Sequence, residues 1–146
     1  MIERATIVRV ARSWLGTRYA HQGRRKGVGV DCIGFVGGVA LELGIAEATQ
    51  WLADRTCAAY GRIPDSAMLL GACERYLDPI RPAEALPGDV LVMRFDADPQ
   101  HFALLSALDP RYIVHAFAQA RRVVENRLDD AWSRRVCRAF RFRGIA

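Results

Sequence analysis

Apolar positions near the start of the chain recur in a helical rhythm. Ile7, Val10, Ala11, Trp14 and Leu15 fall at spacings of three and four, with Glu3, Arg9 and Arg12 on the other side. An amphipathic helix over residues 2–15, stopped by Gly16, is the expected result. Residues 17–30 are polar and glycine-bearing, with Gly23, Gly27 and Gly29 interleaved by Arg24, Arg25 and Lys26. A second helix is expected over residues 32–43. Asp31 suits its N-cap, Phe35, Val36, Val39, Ala40 and Leu43 form its apolar stripe, and Gly44 ends it. Gly37 and Gly38 weaken that helix by about 1 kcal/mol each relative to alanine. Their presence points to close packing against a neighbour rather than a free surface.

Residues 45–80 read as mainly helical. Trp51, Leu52 and Cys57 suggest one short helix, and Met68, Leu69, Leu70, Cys73, Tyr76 and Leu77 a second. The text changes at Pro82. Strands are expected over 90–95, 101–108, 112–118, 122–126 and 135–143, with a helical turn at 130–133. Asp96-Ala97-Asp98-Pro99 and Asp109-Pro110 supply turns between them. Helices first and a meander of strands afterwards make an α+β arrangement, with helices packed on a mainly antiparallel sheet.

A length of 146 residues fits a single domain spanning 1–146, and no Gly-, Ser- or Pro-rich linker divides it. The longest nearly apolar run, around 103–108, is far too short to cross a membrane. Glu3 and Arg4 followed by an amphipathic pattern do not read as a signal peptide, so synthesis and folding in a cytoplasm are expected. Four cysteines at 32, 57, 73 and 137 form no CxxC pair, and free thiols are expected. Cys57, Cys73 and Cys137 sit in apolar text and read as small buried hydrophobes. The net charge of +5 raises the odds of an anionic partner without naming it. No recognition helix, zinc finger or stacking-aromatic pattern accompanies it, so nucleic acid is not the expected partner.

Cys32 follows directly on the N-cap. At a helix start the unpaired amides and the dipole favour negative charge, which is expected to lower the thiol pKa from about 8.5. The Cys32 backbone N–H also stands where an oxyanion would develop. The plainer reading is a thiol that fills space between helix and sheet. Of three histidines, His101 opens one strand and His115 lies in the next, across a tight turn. Antiparallel neighbours bring such residues within reach. Cys32 as nucleophile, His101 as base and His115 as the group that orients the base form one possible set. Zinc is a competing use of one cysteine and two histidines, with Asp31 the nearest fourth ligand. The thiol chemistry itself calls for no cofactor.

The runs Trp14-Leu15-Gly16-Thr17-Arg18-Tyr19, His21-Gln22-Gly23 and Gly29-Val30-Asp31-Cys32-Ile33-Gly34 resemble the N-terminal signature of the NlpC/P60 cysteine peptidases. Leu86-Pro87-Gly88-Asp89-Val90-Leu91, His101-Phe102-Ala103-Leu104-Leu105 and Ile113-Val114-His115-Ala116 resemble the remaining blocks in order. The resemblance covers about residues 5–143 and is nearest to the single-domain branch of phage and gene-transfer-agent tail modules. It implies a papain-like fold and cleavage of peptidoglycan stem peptides, typically between D-glutamate and a diamino acid. By the same resemblance Cys32 falls on the nucleophile, His101 on the base and His115 on the polar third residue. Tyr19 falls on a tyrosine bordering the nucleophile, and Asp31 on an acid that meets the substrate's free amine in some members.

Each of these residues has a simpler use as well. Tyr19 can anchor its loop, and Asp31 can act as the helix cap. Arg24, in the basic loop, can hold a substrate carboxylate or simply be solvated. Ile33 stands where many members have serine. The tail-module likeness implies phage-like tail-tip or hub proteins as partners and carriers, and action in the periplasm of a target cell. A structural tail component with a silent site and a thiol amidase or acyltransferase are the alternatives.

Overall fold

The computed structural model describes residues 1–54, 66–95 and 99–146. The first helix, α1 (Arg4–Arg12), is shorter than its apolar rhythm suggests. Turns follow from Ser13, and Gly16 at φ +86° swings the chain so that its N–H donates to Val123 O at 3.0 Å. Leu15 therefore leaves the apolar stripe and is 42% exposed, while Ile7, Val8, Val10, Ala11 and Trp14 are buried. The polar, glycine-bearing loop that follows contains a small hairpin, β1 (Arg24–Arg25) with β2 (Gly29–Val30).

Helix α2 (Cys32–Glu42) begins at the expected residue, and the Asp31 carboxylate accepts the Gly34 N–H at 2.9 Å. Residues Cys32 to Ala40 are all buried, so α2 is a central helix rather than an amphipathic surface one. A Cβ at Gly38 would run into the Trp14 indole, and one at Gly37 into Trp51 and Leu52. The helix-weakening glycines thus allow the close approach expected of them. Helix α3 (Ala48–Ala53) is pinned by Trp51 Nε1–H donating to Ile33 O at 3.2 Å. Helix α4 (Ser66–Tyr76) follows. Cys57, expected in the short helix, lies outside the described residues. No helix among the described residues is long and apolar enough to cross a membrane.

Among the described residues, six strands form one antiparallel sheet: β3 (Asp78–Ile80), β4 (Val90–Arg94), β5 (Pro99–Ala107), β6 (Tyr112–Phe117), β7 (Arg122–Arg127) and β8 (Val136–Arg141). Their order is β3-β8-β4-β5-β6-β7. Strand β3 replaces text expected to be helical, and Pro79, which lacks an N–H, sits there on an edge strand. The short helix α5 (Asp130–Ser133) occupies the expected turn, capped by Asp129 accepting the Trp132 N–H at 3.0 Å. One face of the sheet, with Val90, Val92, Phe102, Leu104, Val114 and Phe140, closes onto the helices. The other, with Leu91, Met93, Ala103, Leu105, Ile113 and Ala139, carries a second apolar cluster that Trp132 partly covers.

Asp89, in the turn before β4, is fully buried. Its carboxylate takes Arg4 Nη1 at 2.9 Å, Arg141 Nε at 3.0 Å and Nη2 at 2.8 Å, and the Leu86 N–H at 2.9 Å. One side chain thereby ties α1, β8 and the turn together.

Candidate active site

Cys32 is the first residue of α2, which points its sulfur at the start of β5. The backbone N–H groups of Phe102, Ile33 and Cys32 itself face the sulfur. Phe102 is the residue after His101, so the thiol stands beside the His101–Phe102 peptide. Among the described residues, no hydrogen bond joins Cys32 Sγ to either imidazole. Asp31 is buried and holds the approach to the helix. Besides the Gly34 N–H, it accepts Arg24 Nη1 at 3.0 Å and the Gln22 N–H at 2.8 Å. Arg24 Nη1 also donates to Gly23 O at 2.9 Å, so its guanidinium is engaged inside the loop.

The two histidines meet through sheet register. His101 Nε2 and His115 Nδ1 are 2.7 Å apart. Continuing β5 and β6 from the Leu104–Val114 pair makes them diagonal neighbours on one face. On the next strand, Asn126 pairs with Ile113, so it is the diagonal neighbour of His115. His115 Nε2 and Asn126 Oδ1 are 2.6 Å apart. Asn126 Nδ2 donates to Arg127 O at 3.1 Å, which fixes which end of the amide faces the ring.

That orientation assigns every proton in the row. The Asn126 carbonyl can only accept, so His115 carries its proton on Nε2 and presents a bare Nδ1. His101 must then donate from Nε2, which leaves its Nδ1 as the lone pair not engaged by the row. A neutral imidazole with that lone pair unprotonated is a base. Asn126 has no counterpart in the sequence reading. It falls in the polar end of β7, after Val123 and Val124, and only the register between β6 and β7 shows what it faces.

Aromatic rings hold the row in place. Phe117 stacks on His115 at 5.1 Å and 16°, Trp132 meets it edge-on at 5.2 Å, and Phe95 lies 5.0 Å from His101. Tyr19 is half-buried. Its phenol is pushed up to about 12, first by burial and then by Cys32 and Asp31, and its backbone bridges Val30, two residues before Cys32. Ile33 is fully buried in the helix–sheet core, so the residue that departs from the family pattern serves packing.

The expected depression of the Cys32 pKa does not occur. Burial, then the Asp31 charge, pushes the thiol up from 9.0 to about 12, outweighing the three amides. Burial, then His115, pulls His101 well below 6.5, and burial pulls His115 down to about 4. The thiol and both imidazoles are thus neutral at rest. His115 binds a proton more readily unfolded than folded, so its stabilising contribution is present above about pH 6.5 and lost as pH falls toward 4. Cys32 contributes stability below pH 9 that is lost as pH rises toward 12. Denaturant melts should show a plateau between about pH 6.5 and 9, with the acid slope reduced in His115→Gln. An unchanged acid slope in that variant would contradict this assignment.

Among the described residues, no group of three or more His, Cys, Asp and Glu side chains could hold a metal ion. Both ring nitrogens of His115 are already engaged by protein partners. No disulfide joins Cys32, Cys73 and Cys137.

No family profile matches the chain, and no curated protein sequence matches it. Solved structures do. The NlpC/p60 domain of the peptidoglycan hydrolase SagA superposes with a TM-score of 0.63 at 23% identity, covering 95% of this chain and 98% of that one. An NlpC/P60 family protein from Bacillus cereus gives 0.68 at 21% identity, covering 95% of this chain but 40% of that longer one. The P60 domain of an M. avium subspecies paratuberculosis antigen gives 0.59 at 17% identity, covering 94% and 93%. The chain has the NlpC/P60 fold. At these identities the likeness is one of fold.

Proposed function

We propose that this NlpC/P60-fold chain is a cysteine endopeptidase of bacterial cell-wall peptides, with Cys32 as nucleophile, His101 as base and His115 as its orienting partner. The observation that carries the reading is the row Asn126–His115–His101. It leaves one imidazole lone pair, His101 Nδ1, uncommitted by the row, on the residue before Phe102, whose N–H faces the Cys32 sulfur. In the reaction, His101 Nδ1 takes the thiol proton as Sγ bonds to the scissile carbonyl carbon. The Cys32 N–H stands where the oxyanion forms. On collapse the C–N bond breaks and His101 returns the proton to the leaving amine. Water, deprotonated by the same nitrogen, then hydrolyses the thioester. A raised thiol pKa suits this concerted route, in which no free thiolate forms ahead of the attack.

The finer reading is hydrolysis of the D-glutamyl–diamino acid bond of peptidoglycan stem peptides. The order and content of the sequence blocks support it. The same blocks support delivery by a phage-like tail, with synthesis in a bacterial cytoplasm, tail-tip or hub proteins as partners, and action in the periplasm of the target cell. One observation favours a second reading, a structural component with a silent site: the thiol is buried and makes no hydrogen bond to His101. Incubation with defined muropeptides and mass analysis of the products decides between them. Two fragments whose masses sum to the parent plus one water, absent with Cys32→Ala, are expected. Intact peptides throughout would leave the silent-site reading.

A further inference from the structure

A groove of about 610 Å³ opens beside Tyr19, lined by Gly16, Arg18, Tyr19, Ala118, Arg121 and Arg122. We propose that it is a carboxylate-binding subsite, in which Arg18, Arg121 and Arg122 hold the free carboxylates carried along an acidic peptide whose scissile bond lies at Cys32. The proposal deepens the peptidase reading and rests on it for the identity of the peptide.

Several arginines elsewhere already have carboxylate partners. Arg4 and Arg141 pair with Asp89, Arg12 with Glu125, Arg24 with Asp31, and Arg143 with Asp78 and Glu47. Arg18, Arg121 and Arg122 hold none among the described residues, and no acidic side chain lines their groove. Three guanidinium groups that share one concavity without a counter-charge repel one another and sum to a positive potential. Each also offers a planar fork that matches a carboxylate in a two-point contact. Arg24, the carboxylate-binding candidate from the sequence, is engaged by Asp31, so a substrate contact there would have to displace an existing ion pair.

The backbone is built to bring these three together. The Gly16 N–H donates to Val123 O at 3.0 Å, the Val123 N–H to Thr17 O at 2.8 Å and the Tyr19 N–H to Arg121 O at 2.9 Å. This short zip holds Arg18 against Arg122, with which it forms a bridge. Arg121 sits at φ +64°, a left-handed turn position that glycine or asparagine fills more easily. A long cation at such a position is an outlier of the kind that accompanies binding sites. Tyr19 links the groove to the start of α2, since it lines the groove and bridges Val30, two residues before Cys32. The volume is in the range of a small-ligand pocket.

The test uses the full chain carrying Cys32→Ala, so that binding is read without turnover. Its probes are two synthetic stem tetrapeptides of alanine, γ-linked glutamate, diaminopimelate and alanine, identical except that the glutamate and diaminopimelate carboxylates are free in one and amidated in the other. Titration should show the free acid binding about tenfold or more tighter, with the preference shrinking as salt is raised. Arg121→Gly with Arg122→Gln should abolish the preference. Glycine suits the left-handed position, so loss of fold is not the expected outcome, and circular dichroism checks it. Equal affinity for the two peptides, or a preference untouched by the double substitution, overturns the subsite. So does tighter binding of a short oligonucleotide of matched charge, which would mark the groove as a phosphodiester site. If the acid is preferred but active protein cleaves neither peptide, the peptidase reading fails and the subsite stands. If both are cleaved with the same KM, the peptidase stands and the subsite fails.

Discussion

Cys32→Ala and His101→Ala should each lower turnover of a soluble stem peptide by about a thousandfold or more, because the pair acts as one unit and neither half works alone. Asn126 and His115 should behave differently, since neither touches the reacting atoms. His115→Asn keeps an oxygen that can accept the His101 Nε2–H, and a loss of about ten- to a hundredfold is expected. Asn126→Leu removes the carbonyl that fixes the His115 proton on Nε2. His115 is then free to place that proton on Nδ1, where it opposes the His101 donor and turns His101 to its wrong tautomer. Activity should fall by a similar factor. Asn126→Asp restores the acceptor and adds a charge that favours protonated His115, so it should recover activity while moving the acid limb of the pH–rate profile upward. Steady-state kinetics on folded variants read all five. A fully folded His115→Asn as inactive as His101→Ala would make His115 a direct participant. If Asn126→Asp and Asn126→Leu were equally impaired, with an unmoved pH profile, Asn126 would be only a packing residue.

The second large effect is on stability. Asp89→Ala should destabilise the fold by about 3–5 kcal/mol, the usual cost of removing one partner from a buried ionic network. It leaves the Arg4 and Arg141 guanidinium groups and the Leu86 N–H without their acceptor at the junction of α1, β4 and β8. Asp89→Asn keeps the shape and one acceptor oxygen and should cost less. Urea unfolding of both variants checks this. A midpoint that drops with an unchanged slope reports lost native stability, and a loss in Asp89→Ala below about 1 kcal/mol, the worth of an exposed pair, would mean that the network contributes little.

Features set by local chemistry could be read before the fold was seen. Asp31 caps α2 where its side chain and the apolar stripe indicated, and α5 begins and ends at the expected residues. Gly37 and Gly38 signalled a close approach because glycine inside a helix is costly without one. Features set by pairing between distant segments could not. Strand β8 returns to lie between β3 and β4, and no turn residue specifies that return. Asp89 read as part of a Pro-Gly-Asp turn, with nothing to show that Arg4 and Arg141 converge on it. Asn126 needed the β6–β7 register, and the groove arginines needed the zip between residues 16–19 and 121–123. The Cys32 pKa was misjudged for a related reason. A helix start is a local property and favours the thiolate, but depth of burial is a property of the whole fold and here is the larger effect.

The most direct test of the account is to trap the acyl-enzyme. Mixing the protein with a stem peptide and quenching in acid within milliseconds should give a species heavier by the acyl fragment, mapped to Cys32. It should be absent in His101→Ala and reduced but present in His115→Asn. An adduct on Cys73 or Cys137, or product formed by Cys32→Ala at the unaltered rate, would contradict the assignment of Cys32 as the nucleophile.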